Sequence, residues 1–293
     1  MAIGKNINLF LMDGEAGGRI KCTLANWTGV AYKIPRTMLE KAKTIDYLNQ
    51  TGVYFLFGSS DDTGEPVVYI GQAGIRKNGK GILCRLDEHR RDDSKEYWTE
   101  AVAFTTSNNS FGQTEISYLE NRFCNIAVNA KRYTVKNGND PYQGNITEEK
   151  ESELEEFITY AKLVMGALGY KIFEPLIASK PVEEQKELFI DDEPLLYFKT
   201  SKADATGKRT SEGFVVMAGS RIALKTYDSF PDSSQNYREK YKDKISSEGV
   251  LSVNILFNSP SGAACFVAGS AQNGNIAWKT QDGKTLKQLE GSI

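Results

Sequence analysis

Histidine occurs once in this sequence, as His89, and cysteine four times, as Cys22, Cys84, Cys124 and Cys265. Cysteines so widely spaced exclude a zinc knuckle or a small disulfide framework, which leaves them as reduced, mostly buried thiols. A single histidine with no Ser or Cys nucleophile motif around it argues against a triad hydrolase. Long apolar runs are missing as well. The longest, such as Val53–Phe57 and Ala263–Ala268, are far too short to cross a bilayer, and the N-terminus has no basic region followed by an apolar core. These absences predict a cytoplasmic protein with no membrane partner.

A basic excess is lacking too. The net charge of −2 is unexpected for a binder of nucleic acid, where phosphate contacts supply most non-specific affinity. The average conceals three blocks. Residues 1–145 carry 18 basic and 16 acidic side chains, residues 146–198 carry 5 and 13, and residues 199–293 carry 13 and 9, giving +2, −8 and +4. The acidity is thus central and both flanks are mildly basic. With 40% hydrophobic and 25% charged residues over 293 positions, the composition is that of a soluble globular protein long enough for two cores.

Hydrophobic periodicity and turn residues then place the elements. Asn8–Met12, Gly18–Leu24 and Gly29–Ile34 read as a small β-sheet, followed by a short helical piece around Arg36–Lys43. Gly52–Phe57 and Val67–Gly71 read as a hairpin around the turn-forming Ser59–Pro66 segment. Residues 80–91 read as a helix, Ala101–Thr106 as a strand and Gln113–Ala130 as a helix with Ile116, Leu119, Phe123 and Ile126 on one face. Residues 148–168 read as a solvated helix opened by Thr147 and rich in glutamate, which suits the positive end of the helix dipole. Ser179–Glu187, with Pro181, reads as a linker. Beyond it come strand-like Leu195–Lys199 and Gly213–Val216, a helix near Ser234–Ser246, a strand near Val253–Phe257 and a Ser259-Pro260 helix start running through Ala268. The expected fold class is α/β (α+β): a small mixed sheet flanked by helices, in the order β-β-α-β-α, followed by a second small α+β domain. The expected divisions are a β-rich extension at 1–45, a first domain at 46–145, an acidic helix and linker at 146–190, and a last domain at 191–293.

Tyr54 and Tyr69 each sit in an apolar strand, where a phenol is costly unless its hydroxyl finds a partner. Taken singly, either is an ordinary core tyrosine. Together, Gly52-Val53-Tyr54 and Tyr69-Ile70-Gly71 bracket one turn, and the second leads through a glycine-containing loop into a basic helix. On that helix Arg85 and His89 lie four residues apart and share a face, offering a bidentate phosphate fork beside a base that titrates near neutral pH. Glu120 borders the buried stripe of the long helix and could hold a hard divalent ion that keeps most of its waters. Glu115 flanks the same stripe, and periodicity does not choose between them.

In this order and spacing, these residues resemble the GIY-YIG nuclease superfamily over Gly52–Asn139. The resemblance implies a metal-dependent endonuclease that hydrolyses DNA phosphodiesters, in restriction and defence or in DNA repair. It makes Glu120 the ligand of a Mg2+ or Mn2+ ion, Arg85 the phosphate contact, and Tyr54, Tyr69 and His89 the lining, one of which passes on the proton of the attacking water. A late asparagine completes such sites; Asn129, Asn137 and Asn139 compete, and Asn137 is favoured. Gln72 stands where the family often has lysine. The N-terminal Asn26-Trp27-Thr28-Gly29, Phe173-Glu174-Pro175 and the C-terminal Gly213–Val216, Ser259–Ala264 and Trp278 look like the flanks of a bacterial subgroup in which a domain of unknown function follows the nuclease. The basic balance of that last domain, a loop containing Lys208-Arg209, and Trp278 as a base-stacking platform suggest a role in DNA recognition. The competing reading is a nucleic-acid-binding or scaffold protein that keeps the fold without turnover.

Overall fold

The structure is a computed structural model, and it describes residues 3–74, 81–138, 141, 144–177 and 193–291. The expected linker Ser179–Glu187, the loop after Gly74 and Asn139 lie outside the described residues. The chain divides into two compact units, Met1–Pro175 and Leu176–Ile293. Both are α+β.

The first unit is built on strands β1 (Ile7–Leu11), β2 (Ile20–Leu24), β3 (Gly29–Pro35), β4 (Gly52–Ser59), β5 (Pro66–Ala73), β6 (Trp98–Thr106) and β7 (Thr134–Val135). They form one sheet in the order β1-β2-β3-β6-β4-β5-β7, antiparallel throughout except for the parallel β5–β7 pair. The N-terminal strands therefore do not make a sheet of their own: β3 runs beside β6 from Gly29↔Thr106 to Pro35↔Glu100. The reason lies in how β3 is buried. Val30, Tyr32 and Ile34 enter one core and Ala31 the other, so the strand needs cover on both faces and takes a central place.

One face of the sheet is covered by α2 (Gln113–Ala130) and α3 (Glu148–Ala167), with Ile116, Leu119 and Phe123 of α2 packed on Val53, Phe55 and Phe104. Helix α3 is not simply solvated, as its glutamates suggested. Leu154, Phe157, Ile158, Ala161, Val164 and Met165 form a buried stripe at helical spacing, and the acids occupy the remaining face. The other face is covered by α1 (Ile82–Arg90) and by three short 3-10 turns within 36–49, which bury Leu39, Ala42, Ile45 and Leu48. The short helical piece expected there is thus 3-10 in geometry. All four cysteines are free thiols, three of them buried.

The second unit contains β8 (Leu196–Lys199), β9 (Asp204–Thr210), β10 (Gly213–Val216) and β11 (Ile255–Phe257), an antiparallel sheet in the order β11-β10-β9-β8. Helices α4 (Asp232–Lys240), α5 (Pro260–Ala268), α6 (Gly274–Ala277) and α7 (Leu286–Glu290) accompany it. Ser259 caps α5 by accepting from Gly262 N, Pro260 opens it, and Gly269 ends it at φ +69°. Strand β9 contains Lys208 and Arg209, which the sequence had suggested for a loop. Gly207 makes β9 possible beneath the aromatic cluster, since a Cβ there would fall 2.4 Å from the Phe214 ring. Among the described residues no helix is long and apolar enough to cross a membrane.

Candidate active site

The β4–β5 hairpin sets Tyr54 opposite Gly71 and Leu56 opposite Tyr69, so both tyrosines project from the same face of the sheet. Gly71 gives the Tyr54 ring its room: a Cβ at that position would sit 2.3 Å from Tyr54 Oη. Helix α1 covers this face and delivers His89, which is 2% exposed. Its Nε2 lies 2.7 Å from Tyr54 Oη, and the imidazole packs edge-on against Tyr69, with ring centroids 5.3 Å apart. Lys95, from a 3-10 turn after α1, closes the cluster. Its Nζ is 3.1 Å from His89 Nδ1 and 4.0 Å from the Tyr69 ring centroid.

Glu120 comes from the opposite side. Gln72, next to Gly71 on β5, projects toward α2 and donates from Nε2 to Glu120 Oε2 at 2.9 Å. Gln72 is itself held by two donors to its Oε1, Gln113 Nε2 at 2.9 Å and Ser117 Oγ at 3.2 Å. The two faces can share a site because β7 pairs with β5 only as far as Val68, leaving the later part of β5 as a sheet edge among the described residues. Asn137 fits that edge, accepting from Ile70 N through Oδ1 at 3.1 Å and donating from Nδ2 to Ile70 O at 2.7 Å. Its amide extends the strand ladder, so Asn137 shapes the Tyr69–Gly71 segment through the backbone.

Charge in the cluster follows burial. Burial raises the Glu120 carboxyl above its ordinary value, while the Gln72 hydrogen bond and the Arg85 charge oppose the rise. Burial also raises Tyr54 and Tyr69, with neighbouring Tyr69 adding to the first and Glu120 to the second. His89 is lowered to about 4, chiefly by burial and then by the charges of Lys95 and Arg85. Burial works to lower the Arg85 guanidinium, but its hydrogen bond to Glu88 and its contacts with Tyr54 and Tyr69 leave it raised. One Arg85 nitrogen, Nη1, sits 2.9 Å from Glu88 Oε2 in a pair that is 38% exposed on each side, so the fork keeps access to solvent.

Tyr54, Tyr69, Arg85, His89 and Glu120 therefore converge. His89 is not open to water, however, because one ring nitrogen faces Tyr54 and the other Lys95. Glu115 is taken up at the start of α2, where its Oε2 accepts from Gly112 N at 3.0 Å. Asn129 is exposed near the end of α2. Sequence reasoning missed Lys95, Gln113 and Ser117. The last two share a face with Glu120 at helical spacing, a legible signal; Lys95 has none.

Could the site hold a divalent ion? Among the described residues Gln72 alone donates a side-chain hydrogen bond to Glu120, at Oε2, so the half-buried carboxylate keeps acceptor capacity that suits a hard cation. Among the described residues no three His, Cys, Asp or Glu side chains gather. A cation here would rest on Glu120 alone, with water and phosphate oxygens completing its sphere.

In the second unit, Trp278 is fully buried, packed on Phe214 and Phe198 with centroids 4.7 and 5.6 Å away, and its Nε1 donates to Pro260 O. It cannot act as a stacking platform. Arg209 pairs with Glu193 at 2.8 Å and Glu290 at 3.1 Å, which offsets its charge. A groove of about 670 Å³ lies instead beside Tyr197, Lys199, Thr200, Gln272, Ile276 and Lys279.

Residues 196–290 match the family model described as Domain of unknown function (DUF4357). The C-terminal unit is thus similar to domains of that kind. No curated protein and no solved structure matches the chain.

Proposed function

We propose that the first unit is a metal-dependent endonuclease of the GIY-YIG type acting on DNA. The observation that supports this reading best is that Arg85 of α1 and Glu120 of α2 both act on the two hairpin tyrosines, which stand on one sheet face with ring centroids 6.3 Å apart, while the Arg85 charge opposes the rise of the Glu120 carboxyl. A Mg2+ or Mn2+ ion on Glu120 would supply Lewis-acid polarisation of the scissile phosphate and stabilise the leaving oxygen. Arg85 offsets charge on the non-bridging oxygens. Gln72, pinned by Gln113 and Ser117, aims the Glu120 carboxylate. Tyr69, half-buried where Tyr54 and His89 are buried, is the member of the cluster best able to meet a nucleophilic water, and Tyr54 and His89 hold it from behind. This chemistry suits restriction and defence against foreign DNA or DNA repair, in the cytoplasm.

The test uses plasmid and single- and double-stranded oligonucleotides, with and without Mg2+ or Mn2+, and compares the native chain with Glu120→Ala. Nicking or cleavage that needs the metal and falls roughly 10²- to 10³-fold in the variant, an expectation on the order of other losses of electrostatic stabilisation, supports the reading. Equal cutting by both chains would remove Glu120 from the site. DNA binding without any cleavage would favour the alternative, a nucleic-acid-binding scaffold that keeps the fold without turnover.

A further inference from the structure

His89 has a partner at each ring nitrogen, and the two partners are chemically unequal. Tyr54 Oη, 2.7 Å from Nε2, can donate or accept. A Lys95 ammonium, 3.1 Å from Nδ1, carries three protons and no lone pair, so it can only donate. A neutral imidazole has one N–H. If Nδ1 accepts from Lys95, the ring proton must be on Nε2, and Tyr54 Oη must accept it. The Tyr54 hydroxyl proton then cannot point back at the imidazole. Arg85 offers it no acceptor, and the Tyr69 ring lies beside Tyr54 with centroids 6.3 Å apart.

Lys95 is built into this position. Asp92 caps its turn by accepting from Ser94 N at 3.0 Å and from Ser94 Oγ at 2.6 Å, and the Lys95 ammonium lies over the Tyr69 face. The charged groups acting on the imidazole are Lys95, Arg85, Asp92 and Glu88. Burial and the charges of Lys95 and Arg85 keep it neutral at ordinary pH against the opposing pull of Asp92 and Glu88, and the neutral state is the one in which a tautomer has meaning.

We propose that Lys95 is a positioning residue that locks His89 as the Nε2–H tautomer, so that hydrogen-bond donation runs from Lys95 through His89 to Tyr54. His89 is then a donor to Tyr54, and it does not take a proton from water through Nε2. The consequence for turnover rests on the nuclease reading; the tautomer does not.

Because His89 is the only histidine, long-range 1H–15N spectra of the 15N-labelled full chain report a single imidazole. The native chain is expected to give the neutral Nε2–H pattern at pH 7. An Nδ1–H pattern would overturn the proposal without any variant being made. Lys95→Met, which removes the donor, is expected to lose the lock, with the two nitrogen shifts converging as tautomers mix. Lys95→Arg, whose guanidinium also only donates, is expected to keep it. An unchanged Nε2–H pattern in a folded Lys95→Met would assign the lock elsewhere and overturn the proposal. In preparations that cleave DNA, Lys95→Met should lower kcat roughly 10- to 100-fold, the usual size of losing a partner that orients an imidazole, with KM little changed and recovery in Lys95→Arg. An unchanged kcat would overturn the link to turnover. A locked tautomer in a chain that never cleaves DNA would support the inference and count against the nuclease reading alone.

Discussion

Burial of His89 makes this residue a term in the stability of the first unit as well as a part of its site. The imidazole titrates at about 4 in the folded chain against about 6.5 when unfolded, so between these values the unfolded chain binds more protons. Stability linked to His89 is therefore fully present above about pH 6.5 and declines as the pH falls toward 4, by up to about 3 kcal/mol for a shift of this size. Urea unfolding of the native chain and of His89→Gln at pH 7, 5.5 and 4.5 should show the native chain losing its advantage over the variant as the pH falls. Parallel losses in both chains would mean that His89 is not the buried titrating group. Much of the site at this scale could be read from the sequence, because Tyr54, Tyr69, Arg85, His89 and Glu120 announce themselves by order and by strand or helix spacing. The Lys95 contact and the double hold on Gln72 could not be read, since both arise where separate elements meet and neither leaves a period in the sequence.

Among the elements, α3 departs most from its sequence pattern. Its first turn is so acidic, with Glu148, Glu149 and Glu151, that the charges mask a buried stripe beginning at Leu154. Phe157 shows what the stripe does: its ring lies 4.9 Å from Trp27 and 5.0 Å from Phe111, closing the sheet face that α2 leaves uncovered. A chain ended at residue 145, where the sequence placed the domain boundary, would expose Phe55, Phe104 and their neighbours. Such a chain is expected to show no cooperative thermal transition, whereas one ended at residue 175 retains it. Phe157→Ala in the full chain should cost about 3–5 kcal/mol, a large part of the stability of an ordinary domain, measurable as a lower urea midpoint for the first unit. A cooperative, soluble 1–145 fragment would show that α3 is dispensable. The hairpin, α1, α2 and β6 were legible because their periods are unmixed with charge. The joining of β1–β3 to the main sheet was not, because pairing of β3 with β6 is a long-range choice settled by which faces need cover.

At the scale of the whole molecule, the basic balance of residues 199–293 is a property without a place until the strands are laid out. Lys208 and Arg209 lie on a strand, with Arg209 answered by two acids, and Trp278 is core; none of them explains how a +4 block would meet a phosphate chain. Tyr197 and Lys199 share the outward face of the edge strand β8, opposite the buried Leu196 and Phe198, and Lys279 joins them through a backbone bridge to Tyr197. Neither lysine pairs with a carboxylate among the described residues. If the second unit adds to DNA affinity, this face should carry the contribution: two cations for the backbone and one ring for a base. Each phosphate contact contributes roughly 0.7–0.9 to the slope of log affinity against log salt. Lys199→Ala with Lys279→Ala in the full chain should therefore flatten that slope by about 1.5 in polarisation assays on labelled oligonucleotides, while Tyr197→Ala weakens single-stranded binding at every salt concentration. An unaltered slope in the double variant would leave the first unit to hold DNA alone and make the C-terminal domain a partner for something other than nucleic acid.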